Sequence, residues 1–168
     1  KNFHELEQAT VAFGQGISVT PLQLVTAISA CVNGGYLLQP HILKEVRNNN
    51  NEIIYQAKRK VKRQVIKEET SKKVRDALES VVTDGGGRNA YIDGYRIGGK
   101  TGTAQKAVNG SYVGGGYILS FVGIAPIDDP QIVLYIAMDN PKNCIQYGGT
   151  TVAPIARKML LDILPALN

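Results

Sequence analysis

Two long apolar runs, Tyr117 to Pro126 and Gln131 to Asp139, stand almost back to back with Asp128-Asp129-Pro130 between them. Each is well short of the ~20 residues that a bilayer crossing needs. Each is rich in Val, Ile, Leu and Tyr, the composition of a buried strand. So short a link joins antiparallel neighbours, because parallel strands need a long crossover. An antiparallel hairpin at the centre of the fold is therefore the first expectation, and the rest of the chain has to cover it.

Helical patterns lie on both sides of this hairpin. Thr20-Pro21 opens one helix, with Thr20 as cap, Pro21 at the first turn, and Leu22, Val25, Ile28, Ser29 and Val32 on one face. Asn33-Gly34-Gly35 ends it. Thr70 to Thr83 reads as a second helix with Val74, Leu78, Val81 and Val82 as its stripe, stopped by Gly85-Gly86-Gly87. Thr150 to Leu164 reads as a third, with Val152, Ile155, Ala156, Met159, Leu160 and Ile163 inward. Ile42 to Arg47 and Glu52 to Gln56 read as a small hairpin turned by Asn48 to Asn51. Arg96 to Lys106 reads as a strand interrupted by glycine, and Gly114-Gly115-Gly116 as a flexible loop beside it, a plain turn in preference to a lid. The fold class expected is α+β, an antiparallel sheet flanked by helices.

With 168 residues, the chain is one domain or part of one. A hydrophobic fraction of 43% and a charged fraction of 20% exclude wholesale disorder, and two cysteines exclude a disulfide scaffold. Cys31 reads as a buried thiol and Cys144 as a loop residue. The chain begins at Lys1 and its first ten residues are polar, so no signal peptide is expected here and a fragment of a longer protein is. The net charge of +5 is local: residues 41–75 hold 11 Lys/Arg against 4 Asp/Glu. No aromatic residues alternate with these cations to stack bases, so the run reads as a solvated face, not a nucleic-acid surface. His4 and His41 have no partner at metal-ligand spacing, so neither a metal nor another cofactor is expected.

One motif misleads. Gly94 to Thr101 matches G-x-x-x-x-G-K-[ST], and Ile132 to Asp139 looks like an apolar strand ending in a metal-binding aspartate. A phosphate loop needs a buried strand before it and a helix N-terminus after it. Here Gly85 to Asp93 is glycine-rich and polar, and Gly102 to Gly110 has no helical stripe. Asp139 reads as a turn-capping residue.

The same residues fit a different chemistry. On a strand, Thr101 and Thr103 of Lys100-Thr101-Gly102-Thr103 share a face, and Gly102 between them leaves room for a close approach. Such an edge offers two hydroxyls, a lysine and backbone N–H groups to an anion, or accepts an extended peptide. Standing alone, Lys-Thr-Gly is equally an ordinary strand with threonines at favoured positions.

Its context resembles a known family. Lys100 to Gln105 is similar to the K-T-G motif of penicillin-binding proteins and serine β-lactamases. Phe13-Gly14-Gln15-Gly16, Ser18 to Leu24, Asn33-Gly34-Gly35, Ser120 to Pro126, Gly148-Gly149 and Val152-Ala153-Pro154 resemble further stretches of that family in the same order. The pattern is most similar to the monofunctional class B penicillin-binding proteins, the sporulation-specific type above all.

The resemblance implies that residues 1–168 are the C-terminal portion of a peptidoglycan D,D-transpeptidase domain. It implies a serine acyl-enzyme, stem peptides ending in D-Ala-D-Ala and β-lactams as ligands, and the N-terminal half of the same domain as partner. It places the parent at the extracytoplasmic face of the membrane, where a disulfide is permitted. Lys100 would set the electrostatics and proton traffic. Thr101 and Thr103 would hold the terminal carboxylate, the Thr103 N–H would be an oxyanion-hole donor, and Gly102, Ala104 and Gln105 would line the ligand.

The family's S-x-x-K and S-x-N motifs are absent in usable form. Ser71-Lys72-Lys73 has the wrong spacing and reads as part of a charged surface helix, and Ser80, Ser111 and Ser120 have no lysine three residues on. The isolated chain is expected to be inactive. The alternative reading is a non-catalytic module of the same fold that binds peptide or partner proteins.

Overall fold

The computed structural model describes residues 4–12, 14–108 and 111–167. In chain order the elements are α1 (Glu5–Ala12), α2 (Pro21–Val32), β1 (Tyr36–Leu38), β2 (Glu45–Arg47), β3 (Ile53–Gln56) and β4 (Val61–Gln64). There follow α3 (Glu68–Thr83), β5 (Gly98–Val108), β6 (Ser111–Ala125), β7 (Ile132–Asp139), α4 (Gly148–Thr151) and α5 (Ala153–Ile163).

The antiparallel hairpin is the centre of the fold, as its sequence requires. β6 pairs with β7 from Ile118↔Asp139 to Ala125↔Ile132, and β5 lies along the other side of β6, giving the order β5-β6-β7. Both faces of β6 are covered, which is why its sequence is continuously apolar and does not alternate. Leu119 and Phe121 face a core built with Val152, Ala153, Ala156, Leu160 and Leu164 from the C-terminal helices. Val122 and Ile124 face the opposite core, with Val32 of α2 and, at its margin, Val74 and Leu78 of α3. The α+β expectation therefore holds as a helix–sheet–helix sandwich.

Local chemistry sets the helix ends. Thr20 caps α2 through a reciprocal pair: the Gln23 N–H donates to Thr20 Oγ1 and the Thr20 N–H donates to Gln23 Oε1. Gly34 and Gly35 follow α2 at φ +90° and +95°, and a Cβ on Gly35 would collide with the Ile66 carbonyl. Arg96 ties α3 to the entry of β5 with a two-pronged bond to Glu79, which raises the guanidinium pKa above its ordinary value.

Several expectations change. Gly114-Gly115-Gly116 is not a loop: all three lie within β6, which runs on past the sheet to pair with Ala107 and Val108 of β5. The C-terminal helix breaks at Val152, because Pro154 has no N–H to donate and its ring excludes a continuous turn. Its buried stripe is Val152, Ala153, Ala156, Leu160 and Leu164, leaving Ile155 and Met159 exposed. Leu22 on α2 is exposed as well. Ser71 is fully buried, not on the surface. Its Oγ accepts from the Gly34 N–H and from Arg75, and it fastens α3 to the end of α2. Asp139 does not cap a turn but ion-pairs with Lys106 at 2.6 Å. The small hairpin begins later than its composition predicts, at Glu45 and Ile53. The basic run contains a strand, β4, that pairs with β1.

Candidate active-site strand

The phosphate-loop imitation dissolves once the backbone is traced. Gly94 to Ile97 is an irregular approach with Gly94 at φ +79°, and from Gly98 the chain is extended, so no helix N-terminus follows Lys100-Thr101. Asp139, the aspartate of that imitation, is held by Lys106.

Among the described residues β5 is an edge strand, paired with β6 on one side only. Its register is regular across the motif: Lys100↔Val122, Thr101↔Phe121, Gly102↔Ser120, Thr103↔Leu119, Ala104↔Ile118 and Gln105↔Tyr117. Directly opposed residues share a face. Thr101 and Thr103 therefore stand on the Phe121–Leu119 face, toward α4 and α5, and Lys100 stands on the other. The two faces meet at the free edge of β5. There the exposed Lys100 folds along the strand and its Nζ donates to the Thr101 carbonyl at 2.8 Å. Ala104 is half-buried and Gln105 exposed, continuing the strand away from the core.

A second element stands over the motif. At the N-terminal end of α4, the Gly148 N–H donates to Thr103 Oγ1 at 3.2 Å. A hydroxyl that accepts from an N–H keeps its own hydrogen free to donate elsewhere. The approach is close because residue 148 has no side chain: a Cβ there would lie 2.5 Å from the Gly102 carbonyl oxygen and 2.6 Å from that of Ser120. The sequence marks Gly148-Gly149 as a helix entry, but nothing local in it points to a contact with a residue 45 positions earlier. A Cβ on Gly102 would meet Ser120 Oγ, a hydroxyl that can rotate away.

The site is thus a strand edge with one cation, two same-face hydroxyls and a glycine kept clear for close approach. Such an edge presents the groups that an anion or an extended peptide would use. Among the described residues no cluster of His, Cys, Asp and Glu could hold a metal ion. Cys31 and Cys144 are half-buried free thiols. Among the described residues no helix is long and apolar enough to cross a membrane.

Comparison with known proteins agrees with this geometry. Residues 1–161 match the model of the penicillin binding protein transpeptidase domain. Stage V sporulation protein D of Bacillus subtilis is 55% identical over 164 residues, 97% of this chain and 25% of that protein. The transpeptidase domain of Burkholderia pseudomallei penicillin-binding protein 3 superposes with a TM-score of 0.82 at 37% identity, covering 99% of this chain and 48% of that one. Penicillin-binding protein 3 of Mycobacterium tuberculosis, solved in complex with aztreonam, superposes at 0.84 with 30% identity, covering 95% and 38%. The chain spans about a quarter of the length of its sporulation relative. It belongs to the penicillin-binding protein transpeptidase family.

Proposed function

We propose that these residues form the C-terminal portion of a peptidoglycan D,D-transpeptidase domain, acting at the extracytoplasmic face of the membrane in spore or septal wall synthesis. The observation that carries the reading is the free edge of β5 bearing Lys100, Thr101, Gly102 and Thr103, with the Thr103 hydroxyl held by Gly148.

In this reading a stem peptide ending in D-Ala-D-Ala lies along β5. Thr101 and Thr103 donate their hydroxyl hydrogens to its terminal carboxylate, and Lys100 supplies positive charge beside the reacting centre. A serine from the S-x-x-K motif of the family attacks the penultimate carbonyl. The Thr103 N–H is one donor to the oxyanion, and loss of one such donor costs on the order of 10²–10³ in rate. Collapse of the tetrahedral intermediate breaks the peptide bond and releases D-alanine with the proton that the serine gave up. An amine of a neighbouring strand then attacks the ester, forms the cross-link and returns the serine. A β-lactam presents its acid group to the same hydroxyls and acylates the same serine, and the ring nitrogen that takes up the serine's proton stays tethered to the acyl group and does not clear the site.

The test is acylation by a fluorescent penicillin. The full-length protein should be labelled at one serine, and Lys100→Ala, Thr101→Val and Thr103→Val should slow labelling without lowering the thermal midpoint by more than a few degrees. The isolated 168 residues should not be labelled. Unchanged rates in all three variants, or stoichiometric labelling of the isolated chain, would overturn the proposal.

A further inference from the structure

The hairpin of β2 and β3 stands apart from both cores. Among the described residues its two strands pair only with each other, so the ribbon has two free edges. Isolated two-stranded ribbons are marginal in water and gain most from a third strand. This one is nonetheless apolar and exposed: Val46, Ile53, Ile54 and Tyr55 are exposed, and so are Ile42 and Leu43 in the segment leading into it. Native proteins ordinarily blunt such an edge with charge or cover it. β3 has no charged residue over Ile53–Gln56.

The ribbon is held in shape from its tip. Asn48 Oδ1 accepts from the N–H groups of Asn50 and Glu52, Asn48 Nδ2 donates to Glu52 Oε2 at 2.6 Å, and Arg47 donates to the Asn51 carbonyl. An ordered ribbon loses little freedom when something pairs with it.

Charge identifies what that partner is. Residues 41–65 carry seven Lys/Arg against two Asp/Glu. One of the seven, Arg47, is paired with Glu45, and Arg59 stacks on Tyr36. Lys58, Lys60, Lys62 and Arg63 are exposed and make no ion pair among the described residues. They begin two residues after β3 ends, so an apolar edge runs directly into a basic one. A bilayer would meet the four asparagines at the tip first, and burying them in hydrocarbon is costly. A nucleic acid would find no row of aromatic faces to stack on.

We infer that the outer edge of β3 is a docking strand for an extended segment of a partner protein in which an apolar, β-prone stretch adjoins a cluster of Asp and Glu. The segment adds to β3 by main-chain hydrogen bonds, its apolar side chains cover Ile53, Ile54 and Tyr55, and its acidic cluster meets Lys58 to Arg63. The inference is independent of the transpeptidase proposal.

The test uses the full-length protein and a fluorescein-labelled peptide in which a run of Asp and Glu precedes alternating Val and Thr. A mirror peptide carries Lys in place of every acid. Vesicles of phosphatidylglycerol and phosphatidylcholine form a third arm. The acidic peptide should bind by fluorescence anisotropy, weaken as salt rises, and slow hydrogen exchange at residues 53–56. Ile54→Asp, and Lys58→Glu with Lys60→Glu, should each weaken it at least tenfold while leaving penicillin labelling unchanged. Equal binding of the mirror peptide, exchange protection elsewhere, or vesicle binding without peptide binding would overturn the inference. So would the absence of any binding, and the exchange readout on the unmodified protein decides the matter if a variant fails to fold.

Discussion

Substituting Gly148 by alanine tests how closely α4 must sit on β5, the candidate active-site strand. The new Cβ would lie 2.5 Å from the Gly102 carbonyl oxygen and 2.6 Å from the Ser120 carbonyl oxygen, where ordinary contact begins at 3.4 Å. Both obstacles are backbone of paired strands, so neither can turn aside as a side chain would. The start of α4 has to move out by about 0.9 Å, the difference between 3.4 and 2.5 Å. That carries the Gly148 nitrogen from 3.2 Å to roughly 4 Å from Thr103 Oγ1, beyond hydrogen-bond reach. Overpacking of this kind costs about 1–3 kcal/mol and the lost hydrogen bond about 1 kcal/mol more. At about 2–4 °C per kcal/mol, the thermal midpoint should fall by roughly 4–16 °C. The Thr103 hydroxyl then loses the donor that orients it, and a ligand misplaced by 1 Å loses on the order of 10² in rate, so acylation by a labelled penicillin should slow by up to that factor in the full-length protein. Calorimetry and stopped-flow labelling read the two effects separately. A midpoint within one or two degrees of the parent would refute the packing argument. A lowered midpoint with an unchanged acylation rate would refute the claim that Gly148 orients the Thr103 hydroxyl.

Two further predictions follow from the flanking helix. Ser71→Ala removes the buried acceptor of the Gly34 N–H and should destabilise the fold by about 1–3 kcal/mol in chemical denaturation, yet leave penicillin labelling intact, because Ser71 is not the nucleophile. Asp76 is held below its ordinary value of 3.8 by its hydrogen bond from Lys72, so the stabilisation it lends α3 is present above that value and fades as pH falls through the lowered pKa. A carboxyl titration followed by NMR should give a midpoint below 3.8 that moves up in Lys72→Met; a midpoint at or above 3.8 in the parent contradicts the pairing.

Much of this fold is legible in the order of residues, and what is not has a physical reason. The β6–β7 hairpin declares itself because both its faces are buried, which leaves an apolar run that no loop could carry. α2 is equally plain, since Thr20, Pro21, Asn33 and Gly34 are punctuation whose meaning is local. The C-terminal helix is mis-phased because Ile155 and Met159 are as apolar as the residues that are buried, and only the position of the sheet decides which side turns inward. β1 and β4 escape notice because their pairing joins residues 23 to 28 apart and buries little, so no stripe betrays it. The glycines at 114–116 read as a loop by composition, yet they run extended within β6, at the shift in its register with β5 between Gln105 and Ala107. The motif at Lys100 is readable as a strand edge by alternation alone, and its family by resemblance. What sequence cannot offer is the second wall: the Gly148 contact depends on a close backbone approach that leaves no side-chain signature.

The central claim is that the β5 edge is where a transpeptidase ligand lies, and a crystal structure of the full-length protein acylated by a β-lactam tests it most directly. The account predicts Thr101 Oγ1 and Thr103 Oγ1 at hydrogen-bond distance from the ligand's acid group, with the Thr103 N–H on the acyl carbonyl oxygen and the Gly148 N–H still on Thr103 Oγ1. An acylated ligand whose acid group lies away from both threonines, with Lys100 still turned back on the Thr101 carbonyl, would contradict it.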